Sequence, residues 1–196
     1  MIAGTVGYAE AAEVLARQYE GLEFADVHRD VLHLFPGGAS RILDVGAGSG
    51  RDAAALARAG HRVVAAEPTD ELRALGERLH ASPHIEWVAD ALPDLPALPS
   101  TSDFDLILLS AVWMHLDEHE RRSAMKRLAV LLAPGGHIVL TLRHGPVPSG
   151  RRMFDVSAEE TIADANAAGL RLVHRGFRQD VLGRPELRWS SLGFTC

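Results

Sequence analysis

Apolar residues recur along the chain in short runs and in helix-like stripes, and from residue 41 onward the two kinds of stretch alternate. Ile42, Leu43 and Val45 form a run of the kind that a strand buried on both faces requires, and residues 104–109 form the most apolar run. The stretches between such runs have the composition and the stop signals of helices. This pattern predicts an α/β fold in which strands and helices follow one another along the chain.

The boundaries of these elements follow from the same pattern. The predicted strands cover residues 41–45, 62–66, 84–88, 104–109, 137–142, 171–177 and 188–195. The predicted helices cover residues 51–59, 71–80, 117–132 and 158–168. Asp70 is expected to cap the second of these helices, and the last two open with the spacing of a capping box, Asp117-x-x-Glu120 and Ser157-x-x-Glu160. The final two strands are joined by a loop without a helix, which predicts an antiparallel pair.

Two further helices are predicted before the alternation begins, over residues 8–20 and 24–34. Both lie outside the succession of strands and helices, so we interpret residues 1–38 as a helical cap on a core formed by residues 39–196. At 196 residues the whole chain is most simply one domain, long enough for a single substantial core.

Composition places the chain among soluble globular proteins and limits its partners. It is 47% hydrophobic and 23% charged, values that are ordinary for such a domain. The formal net charge is −6 and the sequence holds a single lysine, so a basic face for nucleic acid is not indicated. There is no signal peptide and no apolar run of about eighteen residues, which predicts a cytoplasmic protein without a membrane partner. The sequence leaves open whether it is a monomer or a homodimer.

The single cysteine, Cys196, is the last residue. A single cysteine excludes an internal disulfide framework and a cysteine zinc cluster, and it fits a reducing compartment. The histidines show neither the paired spacing on a helix nor the Cys/His spacing of zinc sites, so no metal is predicted. The chain ends directly after a predicted strand, so it could also be part of a longer protein.

The first strand runs into three glycines at alternate positions, Gly46, Gly48 and Gly50, and then into an alanine-rich helix. This arrangement brings free backbone N–H groups to the positive end of a helix, which suits a nucleoside cofactor. A dinucleotide fingerprint would need glycine or alanine where Arg51 stands, and the absence of Gly-Lys-Ser/Thr excludes a P-loop. A glycine-rich turn without a ligand is the alternative interpretation.

With Asp44 before it, the Gly-x-Gly-x-Gly pattern resembles motif I of the class I S-adenosylmethionine-dependent methyltransferases. The resemblance covers roughly residues 40–195. It implies a doubly wound, mostly parallel, Rossmann-like sheet of seven strands in the order 3-2-1-4-5-7-6, with strand 7 antiparallel. It also implies methyltransferase activity with S-adenosylmethionine as the cofactor and S-adenosylhomocysteine as the product.

Doubly wound sheets bind ligands beyond the carboxyl ends of their strands, so the residues at those ends are the candidates. The resemblance assigns the methionine end of the cofactor to Asp44 with the glycine loop, and the adenine amino group to Asp90. Glu67 lies about twenty residues beyond the loop, where an acidic residue can accept both ribose hydroxyls. The predicted cofactor contacts are Asp44, Gly46, Ala47, Gly48, Gly50, Arg51, Glu67, Pro68, Asp90, Ala91 and Ser110. Asp90 could instead simply start a turn.

The segment from Ser110 to Leu116 follows the fourth strand and resembles the region that borders the transferring methyl in small-molecule members of the family. His115 is predicted to be the general base, because a histidine can take a proton from an oxygen or nitrogen near neutral pH. Packing beneath the following helix is equally open for this residue. The predicted substrate contacts are Tyr8, Tyr19, Trp113, Arg143 and His144, and each has packing or a solvated surface position as its alternative.

The absence of several known motifs narrows the range of possible methyl acceptors. Ser110-Ala-Val-Trp113 stands where amino-methylating DNA enzymes carry Asn/Asp-Pro-Pro-Tyr/Phe, and Cys196 is misplaced for cytosine-C5 chemistry. The two-glutamate hairpin of arginine methyltransferases is absent as well. A small-molecule acceptor methylated on oxygen or nitrogen is therefore predicted, with a protein or peptide acceptor still open. The alternatives from other classes are a catalytically silent partner module that binds S-adenosylmethionine or S-adenosylhomocysteine, and an NAD(P)-dependent oxidoreductase.

Overall fold

The computed structural model describes residues 3–101 and 103–196, and one seven-stranded sheet organises them. The strands are β1 (Arg41–Val45), β2 (Arg62–Ala66), β3 (Ile85–Val88), β4 (Phe104–Leu109), β5 (Leu132–His144), β6 (Arg171–Gln179) and β7 (Arg188–Thr195). They are ordered β3-β2-β1-β4-β5-β7-β6. Strands β1 to β5 pair in parallel, and β7 runs antiparallel to both of its neighbours. The predicted fold class and strand order are confirmed.

Six α-helices accompany the sheet in the described residues. They are α1 (Ala12–Glu20), α2 (Phe24–His28), α3 (Arg51–Arg58), α4 (Asp70–Leu79), α5 (Glu118–Leu131) and α6 (Ala158–Ala167). Short 3-10 turns cover Ala3–Thr5, Leu32–Leu34 and Trp113–His115. Both predicted capping boxes are present, at the starts of α5 and α6. None of the helices in these ranges combines the length and the apolar content that crossing a bilayer requires.

The central strands β1 and β4 are largely apolar because both faces of the sheet are covered there. Leu43, Val45 and Ile107 point into a core that includes side chains of α5 and α6. Ile42 and Leu106, one position away on the same strands, point into a second core that includes side chains of α3. Neighbouring residues of a strand face opposite ways, so β1 and β4 are buried at all positions except Arg41 and Asp105 near their starts.

The two N-terminal helices are shorter than predicted. α1 begins only at Ala12, because the residues before it form a 3-10 turn and bends that bring the Tyr8 hydroxyl to His115. α2 ends at His28, and the segment after it turns so that Val31 and Leu34 are buried against the sheet. In both places tertiary contacts override local helix propensity.

The start of α4 also differs from the prediction. Thr69, not Asp70, occupies the N-cap position, and its side chain makes no capping bond. The main-chain amide of Thr69 instead donates to Glu67 over 2.8 Å. Asp70 lies within the first helical turn and pairs with Arg73, so the predicted capping role of Asp70 is wrong.

β5 is longer than predicted because it already pairs with β4 at Leu132, before the expected start of the strand at residue 137. The segment 133–136 bulges between the residues that pair with Phe104 and Leu106. After the bulge the strand continues to His144, so its carboxyl end lies beside that of β4. The ends of β1, β2, β4 and β5 thus open on one side of the sheet.

Candidate active site

A cavity of about 470 Å³ lies at this edge, between the strand ends and the N-terminal segment. Most of the predicted cofactor contacts line it, namely Asp44, Gly46, Ala47, Gly48, Arg51, Glu67, Pro68, Asp90, Ala91 and Ser110. It is also lined by the predicted base and three predicted acceptor contacts, which are His115, Tyr8, Tyr19 and Arg143. Gly50, Trp113 and His144 lie outside it.

The glycine loop brings the main chain to the cavity wall. Gly46 and Gly48 have φ values of +69° and +60°, a region that other residues adopt only at a cost. A Cβ atom on Gly46 would lie 2.5 Å from a methyl group of Val112. Gly50 is the N-cap residue of α3 and packs against the ring of Trp87 instead of lining the cavity. The main chain of the loop therefore lines the cavity at Gly46 and Gly48, whereas at Gly50 it packs against Trp87.

Asp44 presents an unsatisfied carboxylate to the cavity. Its side chain is buried, and its Oδ2 atom has no hydrogen-bond partner among the described residues. Burial raises the pKa of Asp44 well above its usual value, and the negative charge of Asp52 raises it further. A buried oxygen with no partner, beside a cavity and other acids, suits a cationic ligand group.

Glu67 ties the end of β2 to the glycine loop. One carboxylate oxygen accepts from the Gly48 amide and the other from the Thr69 amide, each over 2.8 Å. Burial raises the pKa of Glu67, while these two amide donors act in the opposite direction. Each oxygen keeps a further lone pair, so the carboxylate can accept from a ligand while it shapes the loop.

Asp90 makes the turn contacts that the sequence offered as the alternative to adenine binding. Its carboxylate accepts hydrogen bonds from the amides of Ala91 and Ala97, both over 2.9 Å. These bonds fix the proline-rich loop after β3, and the residue lines the cavity as well.

A buried ion network beneath the loop was not apparent from the sequence. Asp52, in the first turn of α3, lies 2.9 Å from His28 Nε2 and 2.7 Å from Arg51 Nε. Burial alone would raise the pKa of Asp52, but His28 and Arg51 together hold it below its ordinary value. The local sequence predicted only a helix-dipole interaction for Asp52. Its partner His28 comes from the N-terminal segment, so no local pattern could identify the pair.

The hydrogen bonds of His115 determine its tautomer. Nδ1 lies 2.8 Å from the main-chain oxygen of Arg152, which can only accept, so Nδ1 carries the proton. Nε2 is then an acceptor, and the Tyr8 hydroxyl donates to it over 3.0 Å. Burial lowers the pKa of His115, and the positive charges of Arg151, Arg152 and Arg143 lower it further. The imidazole is therefore neutral and has its basic nitrogen beside the cavity.

The loop that bonds His115 is itself anchored on α5. The Arg152 guanidinium donates to the His115 carbonyl oxygen over 2.7 Å and to Glu120 over 2.8 Å. It also donates to Asp117 over 3.1 Å. Asp117 and Glu120 are the two members of the α5 capping box. The start of this helix thus supports the position of the histidine.

Two predicted acceptor contacts have structural surroundings instead. Trp113 is fully buried in the core that includes α5 and α6. His144 lies 2.8 Å from the Ser190 hydroxyl and packs against the ring of Phe177. Both side chains belong to the packing alternatives that the sequence had left open.

Further cavity residues come from the last third of the chain, where the sequence had offered Arg151, Arg152 and the Asp180/Arg184 loop either as acceptor contacts or as solvated surface charges. The Arg151 guanidinium lies 3.7 Å over the centre of the Tyr8 ring. Asp180 accepts from Arg184 and from the indole of Trp189, both over 2.8 Å. Arg151, Asp180, Arg184 and Trp189 line the cavity. No motif in the sequence pointed to Trp189.

The sheet order with its antiparallel last strand, the glycine loop and the acids at the strand ends define a class I S-adenosylmethionine-dependent methyltransferase fold. In agreement, residues 42–136 match the family model described as a methyltransferase domain. The matched segment is a methyltransferase domain, and the sheet around it has the class I S-adenosylmethionine-dependent methyltransferase fold.

Named relatives agree with this family. A demethylmenaquinone methyltransferase of Clavibacter sepedonicus is 35% identical over 123 residues, which are 62% of this chain and 49% of the relative. The chain spans about half the length of the curated relatives it matches.

Solved structures share the fold. A TehB-like S-adenosylmethionine-dependent methyltransferase of Corynebacterium glutamicum has a TM-score of 0.70 at 24% identity, covering 95% of this chain and 98% of the other. A 1,6-didemethyltoxoflavin-N1-methyltransferase of Burkholderia thailandensis, solved with its substrate and S-adenosylhomocysteine, has a TM-score of 0.67 at 22% identity. That match covers 95% of this chain and 81% of the other.

Proposed function

We propose that this chain, as one domain with residues 1–38 covering the site, transfers a methyl group from S-adenosylmethionine to an oxygen or nitrogen of a small molecule. The observation that carries the proposal is the state of His115. Its Nδ1 donates to a main-chain carbonyl, which leaves Nε2 free of a proton beside the cavity. Oxygen and nitrogen acceptors both need a group of this kind to take up a proton.

The cofactor half of the site fits S-adenosylmethionine. The Asp44 Oδ2 atom, which has no partner among the described residues, would take a cationic group of the methionine end, and the main chain at Gly46 and Gly48 lines the same cavity. Glu67 would accept from the ribose hydroxyls and Asp90 from the adenine amino group. When bound, the cofactor supplies a methyl group on a sulfonium that is already activated for displacement. The protein therefore contributes mainly proximity and orientation.

The acceptor proton would leave through Tyr8 and His115. The Tyr8 hydroxyl takes the proton from the acceptor as its own proton passes to Nε2, so the tyrosine is unchanged and the imidazole becomes protonated. Burial raises the pKa of Tyr8, which keeps the hydroxyl protonated and able to donate. A small acceptor agrees with the cavity volume of about 470 Å³. The name of the Clavibacter relative and the substrate of the Burkholderia enzyme point to the same class of acceptor.

The test is transfer of labelled methyl from S-adenosylmethionine to a panel of phenols, amines and hydroxylated acids. For an acceptor that is methylated, His115→Gln should lower kcat by about 100-fold or more without changing cofactor affinity. Because burial lowers the pKa of His115, the wild-type rate should fall on the acid side only below the range of an ordinary histidine.

The exposed His84 provides the matched control, since His84→Gln should leave the rate unchanged. Full activity of His115→Gln would reduce this histidine to a packing role. Cofactor binding by a folded protein without transfer to any acceptor would instead favour the silent partner module, because a cofactor site alone does not establish turnover.

A further inference from the structure

Two arginines at the acceptor end of the cavity differ from the other arginines that line it. The others have carboxylate partners within 4 Å: Arg51 with Asp52, Arg184 with Asp180 and Arg178 with Asp30. Within residues 3–101 and 103–196, Arg143 and Arg151 have no such partner. Their guanidinium groups donate only to main-chain oxygens, of Gly145 and Pro146 for Arg143 and of Val6 for Arg151.

Both guanidinium groups act on the same pair of reacting side chains. Arg151 lies over the ring of Tyr8, whose hydroxyl is bonded to His115. Arg143 lines the same cavity as Tyr8 and His115. Burial lowers the pKa of His115 and raises that of Tyr8, and the charges of both arginines act to lower both values. The two arginines come from different elements, Arg143 from the end of β5 and Arg151 from the loop beyond it.

Positive charge in this place is unfavourable unless an anion compensates it. Burial lowers the pKa of Arg143, and the charge of Arg184 lowers it further. Guanidinium groups form paired hydrogen bonds with carboxylate and phosphate, and both arginines retain donors for them. The cavity that both arginines line also has apolar side chains in its wall, among them Leu15, Leu22, Val112, Met114, Met153 and Trp189. Trp189 is the cross-strand partner of Arg143.

We propose that Arg143 and Arg151 form an oxyanion site, and that the methyl acceptor is a small organic acid with an apolar body and a carboxylate or phosphate group. The statement that this acid is the methyl acceptor rests on the proposed function, whereas binding of an oxyanion by the two arginines does not. The bound anion would offset the positive charges around His115, so the base would become stronger when the acceptor is in place.

The experiment measures binding of benzoate, phenyl phosphate and benzamide to the full chain, with and without saturating S-adenosylhomocysteine. Benzamide has nearly the shape of benzoate but no charge. The two anions should bind at least about 10-fold more tightly than benzamide, because only they pair with the arginines. The preferred anion identifies the oxyanion as a carboxylate or a phosphate.

Variants assign the effect to the two arginines. Arg143→Gln and Arg151→Gln should each weaken anion binding by about 10-fold, with benzamide and S-adenosylhomocysteine affinity unchanged. Arg122→Gln on α5 removes the same charge from an exposed position and should change nothing. Arg143→Lys keeps the positive charge but loses the paired N–H donors of the guanidinium, so it should weaken anion binding less than Arg143→Gln.

Several results would overturn the oxyanion site. These are equal binding of benzoate and benzamide, no anion binding at all, or an Arg122→Gln effect as large as those of the two cavity variants. If anions bind through both arginines while S-adenosylmethionine and S-adenosylhomocysteine do not bind, the proposed function fails and the site stands. If methyl transfer occurs only to acceptors without an anionic group, the proposed function stands and the assignment of an acidic acceptor fails.

Discussion

The two halves of the cavity are built in different ways. In the cofactor half, Asp44 and the glycine loop come from one continuous stretch, and Glu67 closes the neighbouring strand. Main-chain amides fix this half, since Glu67 is bonded to the amides of Gly48 and Thr69. The acceptor half consists of side chains from four distant segments, Tyr8, His115, Arg143 and Arg151. Backbone geometry therefore fixes the first half, whereas side-chain contacts fix the second.

The halves also differ in charge. Asp44, Asp52 and Glu67 make the cofactor half acidic, and the two partners of Asp52, His28 and Arg51, offset part of this charge. The acceptor half has two guanidinium groups without carboxylate partners in the described ranges. A cationic sulfonium ligand matches the first half, and an anionic acceptor matches the second. If this comparison is right, substitutions in each half should change different measured quantities.

The largest effect expected on cofactor binding is in the cofactor half. Asp44→Asn removes the unpartnered carboxylate, so affinity for S-adenosylmethionine should fall by about 100-fold, or roughly 2.7 kcal/mol. The same variant should stabilise the ligand-free protein by about 1 kcal/mol, because a buried charge without a partner is costly. For a chain of this size that corresponds to a rise in Tm of about 3 °C. Titration calorimetry and thermal unfolding measure the two effects.

The pH dependence gives a second measure of Asp44. Its pKa is raised in the ligand-free protein, so this group favours stability at low pH and loses that contribution as pH rises through the raised value. Cofactor affinity should change in the opposite direction, falling as pH falls through the same range. Asp44→Asn should remove both dependences, while Asp94→Asn, at an exposed position, should retain them. Unchanged affinity in Asp44→Asn would refute the assigned role.

A smaller effect is expected from the acceptor half. Tyr8→Phe removes the hydroxyl bonded to His115 Nε2 and should lower kcat by about 10-fold, less than loss of the histidine itself. Cofactor affinity should stay the same, as measured by titration. Tyr19→Phe alters the cap beside Gly48 and should act on cofactor affinity instead, by no more than about threefold. Equal effects of both variants on kcat would contradict the division into halves.

The same division explains what the sequence could predict. The glycine loop and Glu67 follow from local patterns with known spacing, and the structure places them together at the cavity. The strand order was implied by the resemblance to the methyltransferase family, and the structure has this order. Arg151 over Tyr8 and His28 beside Asp52 join residues far apart in the chain. Such pairs depend on how the N-terminal segment packs, which no local pattern encodes.

Trp113 and His144 show that local patterns also fail to predict the direction of a side chain. Both follow strands that end near the site, so position along the chain favoured a role in binding. In the structure Trp113 is turned into the core and His144 toward Ser190. Sequence places a residue at a strand end, but the direction of its side chain depends on the packing around it.

The smallest expected effect distinguishes two helix caps of the same kind. Asp117→Ala and Ser157→Ala each break a capping box, so each should lower Tm by roughly 3 °C. Asp117 also accepts from Arg152, whose carbonyl oxygen holds His115 Nδ1, whereas Ser157 bonds only within its own cap in the described chain.

Only Asp117→Ala should therefore alter catalysis, by about threefold in kcat, together with a shift in the acid limb of the pH–rate profile. Thermal unfolding and a pH profile on both variants check this prediction. A shift in Ser157→Ala of the same size would mean that loss of stability, and not the position of His115, causes the change. No shift in either variant would mean that the other contacts of Arg152 are sufficient to hold the histidine.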